Sequence, residues 1–162
     1  MQNPAILKDK KILAVDDEPD VLEVISEELS ECQVVTAKDY ESAKKLIENE
    51  KYDLAILDIM GVNGFGLLEL CAARGIPAAM LTAKATDIRS MNKSLKLGAV
   101  SFLPKEEMGS LGDYTAEILQ GLEEGKSHWR RLFERLGPLF KDKFGIVWED
   151  LEKPSKIRIP WD

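Results

Sequence analysis

The sequence predicts an α/β fold in which helices cover both faces of a parallel β-sheet. Three observations lead to this prediction: short apolar runs alternate with helical patterns, most of these runs end beside polar residues, and 44% of the chain is apolar. Alternation of this kind is typical of parallel strands joined by right-handed helical crossovers. A chain of 162 residues is long enough for one such domain with an appendage.

Five strand–helix units follow one another along the chain. The strands are predicted at 11–15, 33–36, 53–57, 77–81 and 99–103, and the helices at 19–30, 39–50, 65–74, 86–97 and 110–124. Pro19 suits the first turn of the first helix, where its missing N–H costs nothing, and the apolar residues after it recur at helical spacing. Asp39 is the predicted N-cap of the second helix, because its carboxylate can accept a backbone N–H.

Four of the predicted strands end beside polar groups. The runs are ILAV before Asp16 and Asp17, LAIL before Asp58, AAML before Thr82, and VSFLP before Lys105. Ligands of open parallel sheets bind beyond the carboxyl ends of the strands, so these five residues are predicted to share one site. Clustered carboxylates repel one another and need a cation, and hard oxygen ligands favour Mg²⁺ or Mn²⁺.

Composition narrows the classes of function. The net charge of −7 argues against a general nucleic-acid surface, and no helix-turn-helix pair is visible, so we expect no direct DNA binding. No stretch approaches the ~20 apolar residues of a membrane span, so we expect a soluble, cytoplasmic protein without a membrane partner. The two cysteines, Cys32 and Cys71, stand far apart beside apolar neighbours and are predicted to be reduced thiols.

The pattern changes after about residue 125. We therefore divide the chain into a domain at 1–125 and a C-terminal helical extension and tail at 126–162. A sixth helix is predicted there from apolar residues at helical spacing, Trp129, Leu132, Phe133 and Leu136. This stripe is expected to pack against the domain or against a second copy, which leaves homodimerisation open.

On its strand-end motifs the chain resembles the receiver domain of two-component response regulators. The matching segments are AVDDE at 14–18, LDIM at 57–60, MLTA at 80–83 and FLPK at 102–105. The resemblance implies a flavodoxin-like, three-layer sandwich whose five-stranded parallel sheet has the strand order 2-1-3-4-5. It also implies a phosphorelay function, in which the domain is a phosphoacceptor signalling module that catalyses only its own phosphorylation and dephosphorylation.

The resemblance assigns roles to the acidic residues. It implies that Asp58 accepts a phosphoryl group from a histidine kinase. It further implies that Asp17, Asp58 and the Met60 backbone carbonyl bind Mg²⁺ or Mn²⁺, with Asp16 acting through water.

The resemblance also implies a switch. Lys105 would neutralise charge on the transferring group, and Thr82 would hydrogen-bond a phosphoryl oxygen and draw its loop inward. Phe102 stands where the family places an aromatic side chain that turns inward as the loop moves. A downstream protein would then bind the face formed by the fourth helix, fifth strand and fifth helix.

Two alternatives remain open. An aspartyl-phosphate phosphohydrolase would need a second Asp two residues after the nucleophile, where this chain has Met60. The second alternative is a constitutive adaptor that is never phosphorylated. Such a protein would keep a buried charge cluster that destabilises the fold and serves no function, which argues against it.

The loop after Asp58 departs from the family's usual pattern. Val62 stands where Pro is common, and Phe65 stands where Asp is common before Gly66, so the loop geometry is left open. Met60 and Lys84 lie where the family's residues flank the phosphoryl group, and an apolar residue beside a long cation predicts slow self-dephosphorylation.

Overall fold

The computed structural model describes residues 4–83 and 86–124. The strands are β1 (Lys11–Val15), β2 (Gln33–Ala37), β3 (Leu54–Asp58), β4 (Ala78–Thr82) and β5 (Ser101–Pro104). The helices are α1 (Pro19–Glu28), α2 (Tyr40–Asn49), α3 (Gly64–Ala73), α4 (Ile88–Lys96) and α5 (Leu111–Glu124). Two 3₁₀ helices, Pro4–Leu7 and Lys105–Ser110, complete the described elements.

The five strands form one parallel sheet in the order β2-β1-β3-β4-β5. Helix α1 packs against α5, whereas α3 packs against both α2 and α4. The predicted flavodoxin-like three-layer sandwich and its strand order 2-1-3-4-5 are therefore confirmed. Because strand order reverses between β1 and β3, the carboxyl ends of these two strands form the edge where such sheets bind ligands.

The sheet interior supplies the core. Every residue of β3 and β4 is buried, whereas the edge strand β2 is partly exposed. Strands covered on both faces read as continuous apolar runs, which explains why LAIL and AAML lack an alternating pattern. This packed centre holds the strand ends in fixed positions, so the polar residues attached to them are positioned as well.

Aspartate side chains cap the N-termini of α2 and α4. The Asp39 side chain accepts the Ser42 N–H at 2.8 Å, which confirms the predicted N-cap of α2. The Asp87 side chain likewise accepts the Ser90 N–H at 2.8 Å. Helix α4 therefore begins at Ile88, two residues later than the sequence pattern predicted.

Other predicted boundaries also shift by one or two residues, and β5 begins at Ser101 instead of residue 99. Asp58 and Thr82 are the last residues of β3 and β4, whereas the sequence pattern placed them just after the strands. The pairing of Asp58 with Leu81 and of Thr82 with Pro104 extends the sheet by that one residue.

The predicted extension at 126–162 and its sixth helix lie outside the described residues, and so does the proposed division at residue 125. Within 4–83 and 86–124, no helix has the length and apolar character that crossing a membrane requires.

Candidate functional site

The carboxyl edge of the sheet brings acids from two strands around one lysine. Asp16 follows β1, Asp58 ends β3, and Lys105 follows β5. Lys105 Nζ lies 2.9 Å from Asp16 Oδ2 and 3.3 Å from Asp58 Oδ1. It also lies 3.3 Å from Oε1 of the exposed Glu18. One ammonium group thus forms ion pairs with three carboxylates.

Burial strengthens the electrostatic interactions within this charge cluster. Asp16 is fully buried and Asp58 is 4% exposed. Loss of water around Asp16 raises its pKa, and the charge of Asp58 adds to this effect, although contacts with Lys105 and with the Glu18 N–H oppose it. Burial alone would lower the pKa of Lys105, but its contact with Asp16 and the charge of Asp58 outweigh that effect and raise it. Lys105 is therefore charged at neutral pH.

The two oxygens of the Asp58 carboxylate face different partners. Oδ1 faces Lys105, and the Met60 N–H lies 3.5 Å from the same oxygen. Oδ2 accepts the Gly61 N–H at 3.0 Å. The loop that follows β3 therefore fixes the orientation of the carboxylate and leaves its two oxygens with separate surroundings.

The acidic residues fit a divalent cation. Asp16, Asp17 and Glu18 each offer one carboxylate oxygen, and these oxygens lie within 4.8 Å of one another. A Cβ added to Gly61 would lie 2.5 Å from both Asp17 Oδ1 and Asp58 Oδ2. These two oxygens can be no farther apart than twice that distance, so an oxygen of Asp58 lies near Asp17, at the side of this group. Carboxylate oxygens are the ligands that Mg²⁺ and Mn²⁺ prefer.

Thr82 and Phe102 lie in the neighbouring strands. Thr82 is fully buried, and its hydroxyl has no hydrogen-bond partner among the residues that the structure describes. It pairs in register with Pro104, directly before Lys105, and so lies at the same edge of the sheet. Phe102 is fully buried beside Met80 of β4. An unpaired buried hydroxyl costs about 1–3 kcal/mol, so an acceptor that reached Thr82 would remove that cost.

A pair of reciprocal hydrogen bonds closes the loop after β4. The Ala83 N–H donates to Thr86 Oγ1 at 2.9 Å, and the Thr86 N–H donates to the Ala83 carbonyl at 3.0 Å. Met60, predicted to flank the phosphoryl group, is 68% exposed. Its predicted partner Lys84 lies outside the described residues, so slow self-dephosphorylation stays a prediction.

The structure adds three residues to those selected from the sequence. Glu18 pairs with Lys105, Gly61 donates to Asp58, and Thr86 accepts from Ala83. Glu18 was visible as the third member of an acidic run, but nothing in the sequence linked it to Lys105. Gly61 acts through its backbone N–H and Thr86 through its side-chain hydroxyl, and both contacts depend on the path of the loops, which the residue types do not reveal.

Comparison with known proteins identifies the family. Residues 12–112 match the family model described as the response regulator receiver domain, which covers well over half of the chain. The chain belongs to this family. This confirms the prediction from the strand-end motifs that the chain contains a signalling domain. Those motifs lie at the carboxyl edge of the sheet.

The receiver domain is similar to several longer proteins. It is 38% identical over 103 residues to the alkaline phosphatase synthesis transcriptional regulatory protein PhoP of Bacillus subtilis, covering 59% of this chain and 42% of PhoP. It is 32% identical over 118 residues to the response regulator protein PilR of Pseudomonas aeruginosa, covering 68% of this chain and 26% of PilR. The match therefore spans less than half the length of these relatives.

A solved structure supports the same assignment. The receiver domain protein of Methanospirillum hungatei JF-1, described as CheY-like, has a TM-score of 0.65 and 27% identity, and the match covers 72% of this chain and 98% of that one. The expectation of no DNA binding gains no support from the comparisons, because PhoP is described as a transcriptional regulatory protein.

Proposed function

We propose that Asp58 is the phosphoacceptor of this receiver domain and that a histidine kinase is its donor. The proposal is supported by the contact of Lys105 Nζ with Asp58 Oδ1 at 3.3 Å, next to three acids whose oxygens lie close enough together to hold a divalent ion. An attacking carboxylate needs its charge and that of the incoming phosphoryl group to be offset. Lys105 is placed to supply part of that compensation.

The two carboxylate oxygens of Asp58 have different roles in this proposal. Oδ1, beside Lys105, attacks phosphorus, and the bond from phosphorus to the donor's imidazole nitrogen breaks, so the electron pair leaves with the imidazole. The product is an acyl phosphate. Oδ2 lies near Asp17 across the gap at Gly61 and would be the oxygen that holds a metal.

Asp17 and Asp58 would hold Mg²⁺ or Mn²⁺ together with the Met60 carbonyl, and Asp16 would act through water. The bound ion supplies positive charge to the phosphoryl oxygens. Asp16 keeps Lys105 in place through the 2.9 Å ion pair. Thr82, whose buried hydroxyl lacks a partner among the described residues, donates to a phosphoryl oxygen once it is present.

The output is a change in protein binding. The movement of Thr82 toward the phosphoryl group would pull on the loop closed by Ala83 and Thr86, which leads directly into α4. We assign Phe102 to the switch and the face of α4, β5 and α5 to the downstream protein. A cytoplasmic location, homodimerisation and the absence of direct DNA binding belong to the same proposal.

Phosphoryl uptake from acetyl phosphate with Mg²⁺ tests the acceptor. The wild type should gain the mass of one phosphoryl group in a hydroxylamine-labile bond, and Asp58→Asn should gain none. Asp113→Asn, which changes an exposed acid of α5, is the matched control and should be labelled like the wild type.

Labelling of Asp58→Asn would show that the acceptor is misassigned. Steady release of phosphate from many ester molecules per protein would favour the phosphohydrolase. Equal binding of a downstream partner by the wild type and by Asp58→Asn, under phosphorylating conditions, would favour the constitutive adaptor.

A further inference from the structure

The loop after β3 passes unusually close to the acids. The Gly61 N–H bonds Asp58 Oδ2 at 3.0 Å, and the Gly61 backbone stands where a side chain would point between Asp17 and Asp58. A Cβ at this position would lie 2.5 Å from an oxygen of each acid and 2.8 Å from Asp17 Cγ. Real Cβ atoms do not approach other atoms so closely.

The requirement for glycine at this position is steric. The described residues contain two glycines with positive φ, Gly75 and Gly98, and Gly61 is not one of them. An alanine at 61 therefore meets no backbone penalty of the kind that a left-handed conformation imposes. What it meets is two carboxylate oxygens.

A methyl group at position 61 would displace the side chain of Asp17 more easily than that of Asp58. Asp58 is 4% exposed and is held by the Gly61 N–H and by Lys105. Asp17 is exposed, so its side chain is the one free to swing away. The predicted result is that Asp17 Oδ1 and Asp58 Oδ2 no longer converge on one ion.

We propose that Gly61 is a positioning residue for the divalent ion: by lacking a side chain it keeps open the gap across which Asp17 and Asp58 share that ion. Its N–H at the same time directs Asp58 Oδ2 toward the gap and leaves Oδ1 for Lys105. The inference rests on the proposed function for the identity of the ligand, but it concerns the space between two oxygens. It can therefore be tested without phosphorylation.

Direct binding of Mn²⁺, followed by electron paramagnetic resonance of the free ion, tests the proposal on the full chain. Gly61→Ala should raise the dissociation constant roughly 10- to 100-fold, the range seen when the surroundings of metal ligands are disturbed. The control is Gly109→Ala: its Cβ would meet nothing within 4 Å, and its φ is not positive. It should bind Mn²⁺ like the wild type.

A stability measurement keeps the proposal testable if Gly61→Ala folds poorly. Because the methyl group collides with Asp17, the double variant Gly61→Ala with Asp17→Ala should recover part of the thermal stability that Gly61→Ala alone loses in metal-free buffer. No recovery would show that the collision with Asp17 does not exist, and the proposal would then be abandoned.

The remaining outcomes separate this inference from the proposed function. Equal Mn²⁺ affinity of Gly61→Ala and the wild type would overturn the role of Gly61 and leave the phosphoacceptor proposal intact. A wild type that binds no Mn²⁺ would overturn both the role of Gly61 and the metal part of the proposed function. A wild type that binds Mn²⁺ in a Gly61-dependent way but takes up no phosphoryl group would support Gly61 and refute the acceptor.

Discussion

At the scale of single residues, Lys105 carries the charge balance of the site. Among the described residues, its ammonium group is the cation that lies within 4.0 Å of the carboxylates of Asp16, Glu18 and Asp58. Two of these acids are almost fully buried, so their mutual repulsion is weakly screened. Removing the ammonium group should therefore cost more than an exposed salt bridge is worth.

Lys105→Met should lower the free energy of unfolding by about 1–3 kcal/mol at pH 7, since it leaves buried carboxylates without their partner. The pKa of Asp16 is raised in the folded state, so its ionisation destabilises the fold above that pKa and the penalty vanishes as pH falls below the unfolded value. Without Lys105 this penalty grows. Urea unfolding should thus show the largest difference from the wild type near neutral pH and a smaller one in acid.

Lys45→Met, at an exposed position of α2, is the control for that experiment and should change little at either pH. A loss in Lys105→Met that is independent of pH would mean that packing of the lysine stem, and not its charge, accounts for the effect.

The two cysteines should react slowly in the folded protein. Burial is the main cause that raises the pKa of Cys32 to about 11 and the pKa of Cys71 to about 12. Because the thiolate is the reactive form, only about one thiol in a thousand is ionised at Cys32 at pH 8. A disulfide reagent at pH 8 should modify Cys32 slowly and Cys71 only on unfolding, and fast modification of both in the native state would contradict this.

At the scale of elements, the contacts of α4 connect it to the loops around the site. Lys93 of α4 places its Nζ 4.4 Å from the ring centroid of Phe65 at the start of α3. Phe65 replaces the residue that is common there in the family, and in this chain it provides a cation–π contact between the two helices. The closed turn of Ala83 and Thr86 precedes α4 from the other side.

A double-mutant cycle measures the link between α3 and α4. Phe65→Leu and Lys93→Met should show a coupling energy of about 0.5–1 kcal/mol in urea unfolding, the range for an exposed cation–π pair. A parallel cycle with Arg89→Met, one turn earlier on the exposed side of α4, should show none. Equal coupling in both cycles would point to a general effect of charge.

Thr86→Val should open the turn before α4. The Ala83 N–H then loses its acceptor, which costs about 1 kcal/mol for a partly buried group. Hydrogen exchange at the Ala83 amide should become faster than in the wild type, whereas Thr86→Ser, which keeps the hydroxyl, should leave it protected. Equal exchange in all three proteins would show that the hydroxyl does not hold the turn.

At the scale of the whole molecule, metal binding and folding should be coupled. Asp17 and Asp58 lie close together only when β1 and β3 are paired, because these two acids are far apart in the unfolded chain. A ligand that binds only the folded state stabilises it.

Mg²⁺ should therefore raise the midpoint of thermal unfolding. Each tenfold rise in its concentration above the dissociation constant should add about 1.4 kcal/mol, and Asp17→Asn should lose the effect. NaCl at equal ionic strength is the control for screening. An equal rise with NaCl would show that the ion acts only by screening the net charge of −7.

The order of the elements and the edge of the sheet that carries the polar residues were predictable, because apolar periodicity is a local property of the chain. The 3₁₀ helices Pro4–Leu7 and Lys105–Ser110 were not predicted, since such short turns lack a periodic pattern. The site residues that could be selected from their positions after apolar runs are Asp16, Asp17, Asp58, Thr82 and Lys105. Their distances could not be predicted, because these depend on strand pairing between distant segments.

The amino-acid sequence by itself determined the fold class, the strand order through its family motifs, and the chemical groups available at the carboxyl edge of the sheet. Only the tertiary structure decided that Asp58 turns one oxygen to Lys105 and the other to Asp17, and that Gly61 lies against both acids. The reason is physical: residue type sets the chemistry of a side chain, but the loop after β3 takes a path that contacts across the sheet impose.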